Sequence, residues 1–454
     1  MSKPITSSST PRDLAQEVCS ELKRRRHLCP NLSTLYSILE MAYYASLGTE
    51  EGKPVVFDMV YLDPSSPDPK PPPRLPADRW SFVPLQAPIP VTVLNLSKLA
   101  RATDPRSSSL VVYPDKRGTP TIWGLIDQGT RYYDFLNFDS EEGPERPGLF
   151  QLSVAGLGRL IAYLGYAKIA ELRINSLITR TSDVLRKGPI RRALQTGISK
   201  YVASVKSSLS SAAYNERGDW RATLEDDWVA TLCRLLLRTR AYRHGGAFLI
   251  TSDETETGLD VKYRIRYPRL ASALHRRGVL LVQRTYAEDH IIADFFEKDR
   301  DFISADRYLD REVAKNELEE TNDEINGAVW LVSLLSRVDG LVLMDPNLCI
   351  RGFGVEITYD QDLDAVYRAA TPNARPSRLR KLDYKHFGTR HRSMMRYVAA
   401  IQPSVGFVVS QDGDVRAITR LDDKVVLWEN IRLQIDDFVK REKTTQTLLI
   451  DRDA

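Results

Sequence analysis

The chain has 454 residues, of which 42% are apolar, so it is long enough for two or three domains with buried cores. Its formal net charge of +4 is too small for this length to favour nucleic-acid binding. It contains no apolar run of bilayer-spanning length and no signal-peptide core. Its four cysteines show neither metal-site spacing nor a disulfide framework. We therefore expect a cytoplasmic α/β protein that binds neither nucleic acid nor membranes.

The first 60 residues predict a tail, two helices and a strand. Residues 1–12 are rich in Ser, Thr and Pro, which is typical of disorder. Asp13 is a plausible helix start, and Leu14, Val18 and Leu22 follow at nearly helical spacing. A second helix is predicted over Leu32–Leu47, and the alternation over Pro54–Tyr61 predicts a strand.

Residues 64–90 contain ten prolines, which exclude a regular helix or a central strand and predict an extended surface loop. Beyond this segment the pattern becomes that of short strands separated by turn residues. The predicted strands are Val91–Leu96, Leu110–Tyr113, Thr121–Ile126 and Leu149–Val154.

Three short motifs stand out in this half: Glu50-Glu51-Gly52-Lys53, Lys98-Leu99-Ala100 and Ile122-Trp123-Gly124. Together they resemble a probable sensor region (DACNV) found in some diadenylate cyclase proteins. The resemblance implies that residues 13–190 form an N-terminal α/β sensor domain. The sequence does not disclose what this domain senses.

Helical spacing over residues 180–240 predicts helices that include a connector at 191–221. Strands are then predicted at 246–251, Lys262–Tyr267 and Gly278–Val282, with a basic helix over Pro268–Gly278 between the last two. Two further helices are predicted: a charged one over Asp310–Asn322 and a more apolar one over Glu324–Val338, which leads to Asp339. An amphipathic helix is predicted over Leu427–Lys440, followed by a tail at 441–454.

The segment Gly388-Thr389-Arg390-His391-Arg392 is suited to binding phosphate. Arginine presents a permanently charged fork of donors that matches two phosphate oxygens at once. Glycine permits close approach of the backbone, and threonine adds an N–H and a hydroxyl. The alternative is a solvated basic turn. A second motif, Asp339-Gly340-Leu341, favours a site, because it opens an apolar run in which a buried carboxylate would need a cation.

The two motifs together resemble the diadenylate cyclase (DAC) domain of the bacterial DNA-integrity scanning protein. Three other segments are similar to strands of that domain: His244–Ile250, Arg351–Val355 and Val408–Val415. The resemblance implies that residues 222–440 form a DAC-like nucleotide-binding domain with a mixed sheet flanked by helices. It also implies the activity of that family, in which two ATP molecules condense into cyclic di-AMP and release pyrophosphate.

The resemblance implies a role for each motif residue. Asp339 would bind a divalent metal (Mg²⁺ or Mn²⁺) and assist the attacking hydroxyl. Arg390 and Arg392 would grip phosphate, and His391 would hydrogen-bond phosphate or a metal-bound water. The remaining nucleotide-binding positions are Gly340, Leu341, Gly388, Thr389 and Ser410. Each such domain holds one ATP, so a homodimer or larger assembly with facing sites is implied.

Several departures from the family pattern leave a second hypothesis open. Leu341 stands where the family usually has alanine, and Gln411 stands where it has an acid. The glutamate that usually follows the Gly-Thr-Arg-His-Arg motif has no counterpart. An inactive sensor module that binds ATP or a cyclic dinucleotide is therefore the alternative. A basic loop over Thr371–Lys385 is equally compatible with a triphosphate clamp and a solvated insertion.

Overall fold

The computed structural model describes residues 9–433 and 435, except for residues 28, 66–80, 105–106, 128–148, 165–166, 179–182, 210–219, 243, 253, 297–304, 412 and 434. The chain divides into two compact units, Met1–Arg180 and Thr181–Ala454. Both units combine helices with sheets, so the predicted α/β class is confirmed. None of the helices in the described ranges is long and apolar enough to cross a membrane.

The first unit is a twisted sheet with helices packed on one face. Its helices are α1 (Pro11–Arg24), α2 (Leu32–Ser46) and α3 (Val93–Leu99). Its strands are β1 (Thr49–Glu50), β2 (Lys53–Pro54), β3 (Phe57–Tyr61), β4 (Ser81–Pro90), β5 (Ser108–Pro114), β6 (Pro120–Asp127), β7 (Phe150–Gly156), β8 (Arg159–Leu164), β9 (Ala167–Arg173) and β10 (Ser176–Ile178). Strands β3–β10 form one sheet in the order β10-β9-β8-β7-β3-β5-β6-β4, whose only parallel pair among the described strands is β3 with β5. Leu14 of α1, Leu35 of α2 and Phe57 of β3 share its main core.

Three expectations for this unit are corrected. Helix α1 begins at Pro11 rather than Asp13, because Thr10 and Asp13 form a reciprocal capping box. Val93–Leu99 is a helix instead of a strand, since the Thr92 hydroxyl accepts a hydrogen bond from the Asn95 N–H at 3.2 Å. Ser81–Pro90 is a strand at the edge of the sheet, where proline is tolerated, instead of a loop. Residues 66–80 of that predicted loop and residues 1–8 of the tail lie outside the described residues.

Within its described residues, the second unit has one mixed sheet with five helices packed on one face and a single helix on the other. Its helices are α4 (Pro189–Ala193), α5 (Gln195–Ser208), α6 (Trp220–Ala241), α7 (Arg269–Phe296), α8 (Ala305–Leu335) and α9 (Thr389–Ala400). Its strands are β11 (Gly246–Thr251), β12 (Leu259–Tyr267), β13 (Leu341–Met344), β14 (Ile350–Ile357), β15 (Val366–Arg368), β16 (Arg380–Leu382), β17 (Ser404–Val409), β18 (Val415–Leu421) and β19 (Lys424–Trp428). The order is β12-β14-β13-β11-β17-β18-β19-β15-β16, with β11–β13 and β15–β19 parallel.

Strand alternation distributes the core of this unit over both faces. On β11, Phe248 packs with helices α4–α8, whereas Leu249 packs with Met394 and Met395 of α9. Part of the predicted connector joins the first of these cores through Leu194 and Ile198, and residues 210–219 lie outside the described residues. The sheet thereby fixes the position of α9 relative to its central strands.

Two predicted elements of this unit are wrong. Gly278–Val282 belongs to helix α7 and not to a strand: Gly278 marks a close crossing, where a Cβ would lie 2.4 Å from the Tyr201 hydroxyl. The predicted helix from Leu427 begins inside strand β19. The rest of that prediction from residue 436 onward, and the tail at 441–454, lie outside the described residues. The two helices predicted over Asp310–Val338 are a single helix, α8.

Candidate anion-binding site at one end of the second sheet

The motifs of the second unit converge at one end of its central strands. Gly246 at the start of β11 pairs with Val409 at the end of β17. The parallel pairing of Phe248 with Val342 puts the start of β13 at the same level. Gly246 and Val409, which are 163 positions apart in the sequence, therefore meet at one end of the strands, as expected of a ligand site in such a sheet.

Two glycines allow the backbones to come this close. Gly340 has a φ of +106°, and a Cβ there would lie 2.6 Å from the carbonyl carbon of Gly354. Gly245 has a φ of +77°, and a Cβ there would lie 3.2 Å from the Val409 oxygen and 3.5 Å from Nη1 of Arg390. Both positions need glycine, because the left-handed backbone strains other residues. Arg390 thus lies beside the start of β11.

The Gly-Thr-Arg-His-Arg motif forms the N-terminus of helix α9. Gly388 is the N-cap and faces open space, and its carbonyl accepts hydrogen bonds from the backbone N–H groups of His391 (3.0 Å) and Arg392 (3.2 Å). The first turn contains no acidic residue. Two guanidiniums at the positive end of a helix dipole are electrostatically unfavourable by themselves. The same arrangement favours binding of an anion.

The structure brings Asp339 and Arg390 together. The Asp339 Oδ1 and the Arg390 Nη2 are 3.6 Å apart. The expectation that Asp339 is buried is wrong, because its side chain is fully exposed. The residue precedes β13 and lies outside the apolar run that forms this strand. An exposed ion pair of this kind contributes little to stability. Its carboxylate is therefore accessible to a ligand.

His391 is held by an arginine that sequence reasoning missed. Nη1 of Arg416 on β18 lies 3.0 Å from Nε2 of His391. A guanidinium can only donate, so Nε2 accepts and the neutral ring carries its proton on Nδ1. Burial lowers the pKa of His391, and the charges of Arg416 and Arg390 lower it further to about 4, although Asp414 opposes them. The imidazole is thus neutral near pH 7 in an environment rich in positive charge.

A second missed arginine adds to that charge. Burial lowers the pKa of Arg240, near the end of α6, to about 10, and the charge of Asp414 opposes this shift. Arg416 also lies 3.5 Å from carboxylate oxygens of Asp414 and Glu429. No short sequence motif indicates these contacts. The only sequence signal was the position of Arg416 in a strand next to the predicted closing hairpin.

The predicted nucleotide-binding residues Thr389, Leu341 and Ser410 lie in three different environments. Thr389 is exposed at the first position of α9. The Leu341 side chain is 5% exposed and packs in the core below α9, so only its backbone can face a ligand. Ser410 organises the turn after β17: its N–H donates to the Asp414 carbonyl (2.8 Å), and its Oγ accepts from the Asp414 N–H (3.0 Å). Asp412 of that predicted hairpin lies outside the described residues.

Two other features lie outside this cluster of residues, namely a basic edge strand and a cavity. Part of the basic loop forms β16, which is the edge strand three places from β18 in the sheet. A cavity of about 630 Å³ lies at the other end of β13, and its lining includes Arg266, Asp345 and Arg351. Its volume is suitable for a ligand, but it contains neither Asp339 nor the motif on α9. The electrostatics favour the α9 end as the candidate functional site.

Comparison with known proteins concerns the first unit. Residues 24–127 match the family model of the probable sensor domain DACNV. The matched residues extend from the end of α1 to the end of β6 and include the three motifs identified above. The chain therefore contains a region similar to a sensor domain, as predicted. No curated protein matches the chain.

Proposed function

We propose that the second unit binds ATP at the N-terminus of α9 and condenses two ATP molecules into cyclic di-AMP, under control of the sensor region. The observation that carries this proposal is the concentration of guanidiniums in the first turn of α9, where Arg390 and Arg392 accompany a histidine kept neutral and the exposed Asp339 lies 3.6 Å from Arg390. Triphosphate oxygens would compensate this charge and accept the donors of both guanidiniums. The side chain of His391 would then donate to phosphate through Nδ1.

Asp339 supplies the opposite charge at the mouth of the site. Its carboxylate is fully exposed 3.6 Å from Arg390. A Mg²⁺ or Mn²⁺ ion fits this position, because Mg²⁺ is commonly held by one or two carboxylates together with the phosphates of the substrate. Such an ion would neutralise charge on the phosphates. Asp339 would also orient the 3′-hydroxyl that attacks the α-phosphate of the other nucleotide.

The reaction needs two nucleotides with their reacting groups aligned, and positioning supplies much of the catalysis in phosphoryl transfer. One copy of the site holds one ATP. An outward-facing Asp339 and an open Gly388 are compatible with a second copy of the chain presenting its site opposite the first. We therefore propose a homodimer or larger assembly with facing sites.

A second candidate function is an inactive module that binds ATP or a cyclic dinucleotide. The observation that favours it lies after the motif on α9, where residues Ser393 to Tyr397 include no acid, and where Met394 and Met395 are fully buried. Gln411, whose Cγ lies beside Gly245, provides an amide in place of an acid. Binding without turnover would follow if these acids are needed for chemistry.

The experiment is incubation of the full chain with ATP and Mn²⁺ or Mg²⁺, followed by separation of products by mass. The cyclase proposal predicts cyclic di-AMP from the wild type, loss of product in Asp339→Asn, and ATP binding largely retained in that variant. Arg276→Ala is the control, because Arg276 is an exposed residue of α7 outside the site and should leave product formation unchanged. Saturable ATP binding without any product would favour the inactive module.

A further inference from the structure

Two thiols of the first unit are in contact. Cys19 lies on α1, and Cys29 lies in the segment that leads to α2. Their Sγ atoms are 3.2 Å apart, although both cysteines are free. The separation of ten residues in the sequence gave no sign of this contact. The fold of the α1–α2 connection creates it.

The surroundings hold both side chains in place. Cys19 is 6% exposed and lies in the same core as Leu14 and Leu35, whereas Cys29 is half-buried at the margin of that core. The Cys29 Sγ is also 3.3 Å from the carbonyl oxygen of Pro30. Since the two sulfurs are 3.2 Å apart, a bond of about 2 Å requires them to approach by only about 1 Å.

We propose that Cys19 and Cys29 form a redox-active dithiol, which a small-molecule disulfide such as oxidised glutathione converts into an intramolecular disulfide. Cys29 lies inside the segment that matches the sensor family, and Cys19 lies five residues before the start of that segment. The site therefore offers the sensor region a covalent input. It is independent of the nucleotide site of the second unit.

The order of the two steps follows from exposure. Burial and the neighbouring Cys29 raise the pKa of the Cys19 thiol to about 12, so Cys19 is a poor first nucleophile. The more exposed Cys29 loses its proton to solvent and attacks one sulfur of the oxidant. This attack forms a mixed disulfide and releases one thiol. Cys19 then loses its proton and attacks the Cys29 sulfur, which breaks the mixed disulfide and releases the second thiol.

The balance is one oxidant disulfide reduced to two thiols, and two protein thiols oxidised to one disulfide. The product links α1 to the segment that precedes α2. It would close a short loop that contains the basic run Lys23–Arg26. A reducing thiol reverses the reaction.

The test uses the full reduced chain, equilibrated with mixtures of oxidised and reduced glutathione, quenched in acid, denatured and alkylated. We expect alkylation to fall from four cysteines to two, with a mass loss of about 2 Da in a peptide pair that joins Cys19 to Cys29. Dithiothreitol should restore four alkylated cysteines. Four alkylated cysteines in every oxidising mixture would overturn the proposal, as would a stable glutathione adduct on Cys29.

The variants Cys19→Ser and Cys349→Ser form a matched pair. Cys349 is half-buried like Cys29, and its Sγ contacts the Ile350 carbonyl at 3.9 Å. Cys349→Ser should leave the disulfide intact, whereas Cys19→Ser should stop the reaction at the mixed disulfide. Loss of the disulfide in Cys349→Ser would contradict the assignment. Peptide mapping of the wild type decides the matter even if Cys19→Ser does not fold.

Discussion

Binding of an anion at α9 should raise the pKa of His391, and this coupling can be measured as a pH dependence of affinity. The pKa of His391 is about 4 in the free protein because of burial, Arg416 and Arg390. An anion would offset the two guanidiniums but not the burial. Full recovery to the ordinary value of about 6.5 would make binding at pH 5 about 20-fold tighter than at pH 7, and recovery of half the shift would make it about 2.5-fold tighter.

The sign follows from proton uptake. Near pH 5 the imidazole is mainly neutral in the free protein, whereas in the complex with a raised pKa it is partly or mainly protonated. Lower pH therefore favours the complex. Sulfate is the suitable probe, because its charge stays constant over this range, and titration calorimetry at both pH values gives the affinities. His391→Gln is the control, since it keeps a polar side chain but cannot titrate.

The wild type should bind sulfate about 2.5- to 20-fold more tightly at pH 5 than at pH 7, and His391→Gln should lose that part of the gain. An equal gain in both proteins would assign the proton to a group other than His391. Sulfate affinity that is independent of pH in the wild type would also contradict the prediction. An NMR titration of the His391 ring with and without sulfate measures the same shift directly.

Three further predictions concern stability. Gly340→Ala should lower the free energy of unfolding by about 2 kcal/mol or more, because Gly340 has a φ of +106° and the new Cβ would meet the Gly354 backbone. Gly388→Ala should lower it by about 1 kcal/mol or less, because a Cβ there faces open space. Denaturant unfolding measures both, and equal losses would contradict this prediction. Arg277→Met should lower the free energy of unfolding by about 3 to 5 kcal/mol, since it leaves buried Asp227 without the guanidinium that lies 2.6 Å away. Adding Asp227→Asn removes the unpaired charge, so Arg277→Met should cost less in that background. An equal cost in both backgrounds, measured by denaturant unfolding, would count against this. Burial alone would raise the pKa of Glu171, but Lys168, Arg159 and Arg173 lower it to about 2. The free energy of unfolding of the first unit should therefore fall as pH drops from about 4.5 towards 2. Glu171→Gln should lose this pH-dependent part of the stability, and an unchanged dependence on pH would disprove the assignment.

The sequence predicts the architecture well where its pattern reports the local environment. Alternation identified the strand around Phe57, and turn residues marked the apolar run around Val111. The resemblance to the DAC domain marked the strand around Leu249. It failed at Val93–Leu99, where apolar residues suited a strand but the Thr92 cap decides for a helix. Gly278 suggested a break, yet it is a contact point inside a helix.

The site was only partly predictable for a similar reason. The two motifs were identified from residue types, and the fold brings Asp339 and Arg390 within 3.6 Å. Their surroundings depend on pairings between distant strands, which no local pattern contains. Arg416 reaches His391 only because β18 lies near the start of α9, and the burial of Asp339 was misjudged from its apolar neighbours. The contact between Cys19 and Cys29 likewise comes from chain packing.

The most direct measurement is the affinity of the full chain for ATP in the presence of Mg²⁺, compared with the variant Arg390→Ala/Arg392→Ala and with the control Arg276→Ala. We expect saturable binding by the wild type and by the control. We expect at least a tenfold loss of affinity in the double variant, because a hydrogen bond to a charged group contributes about 1.5 to 3 kcal/mol. Unchanged affinity in the double variant, or no saturable binding by the wild type, would contradict the assignment of the nucleotide site to the N-terminus of α9.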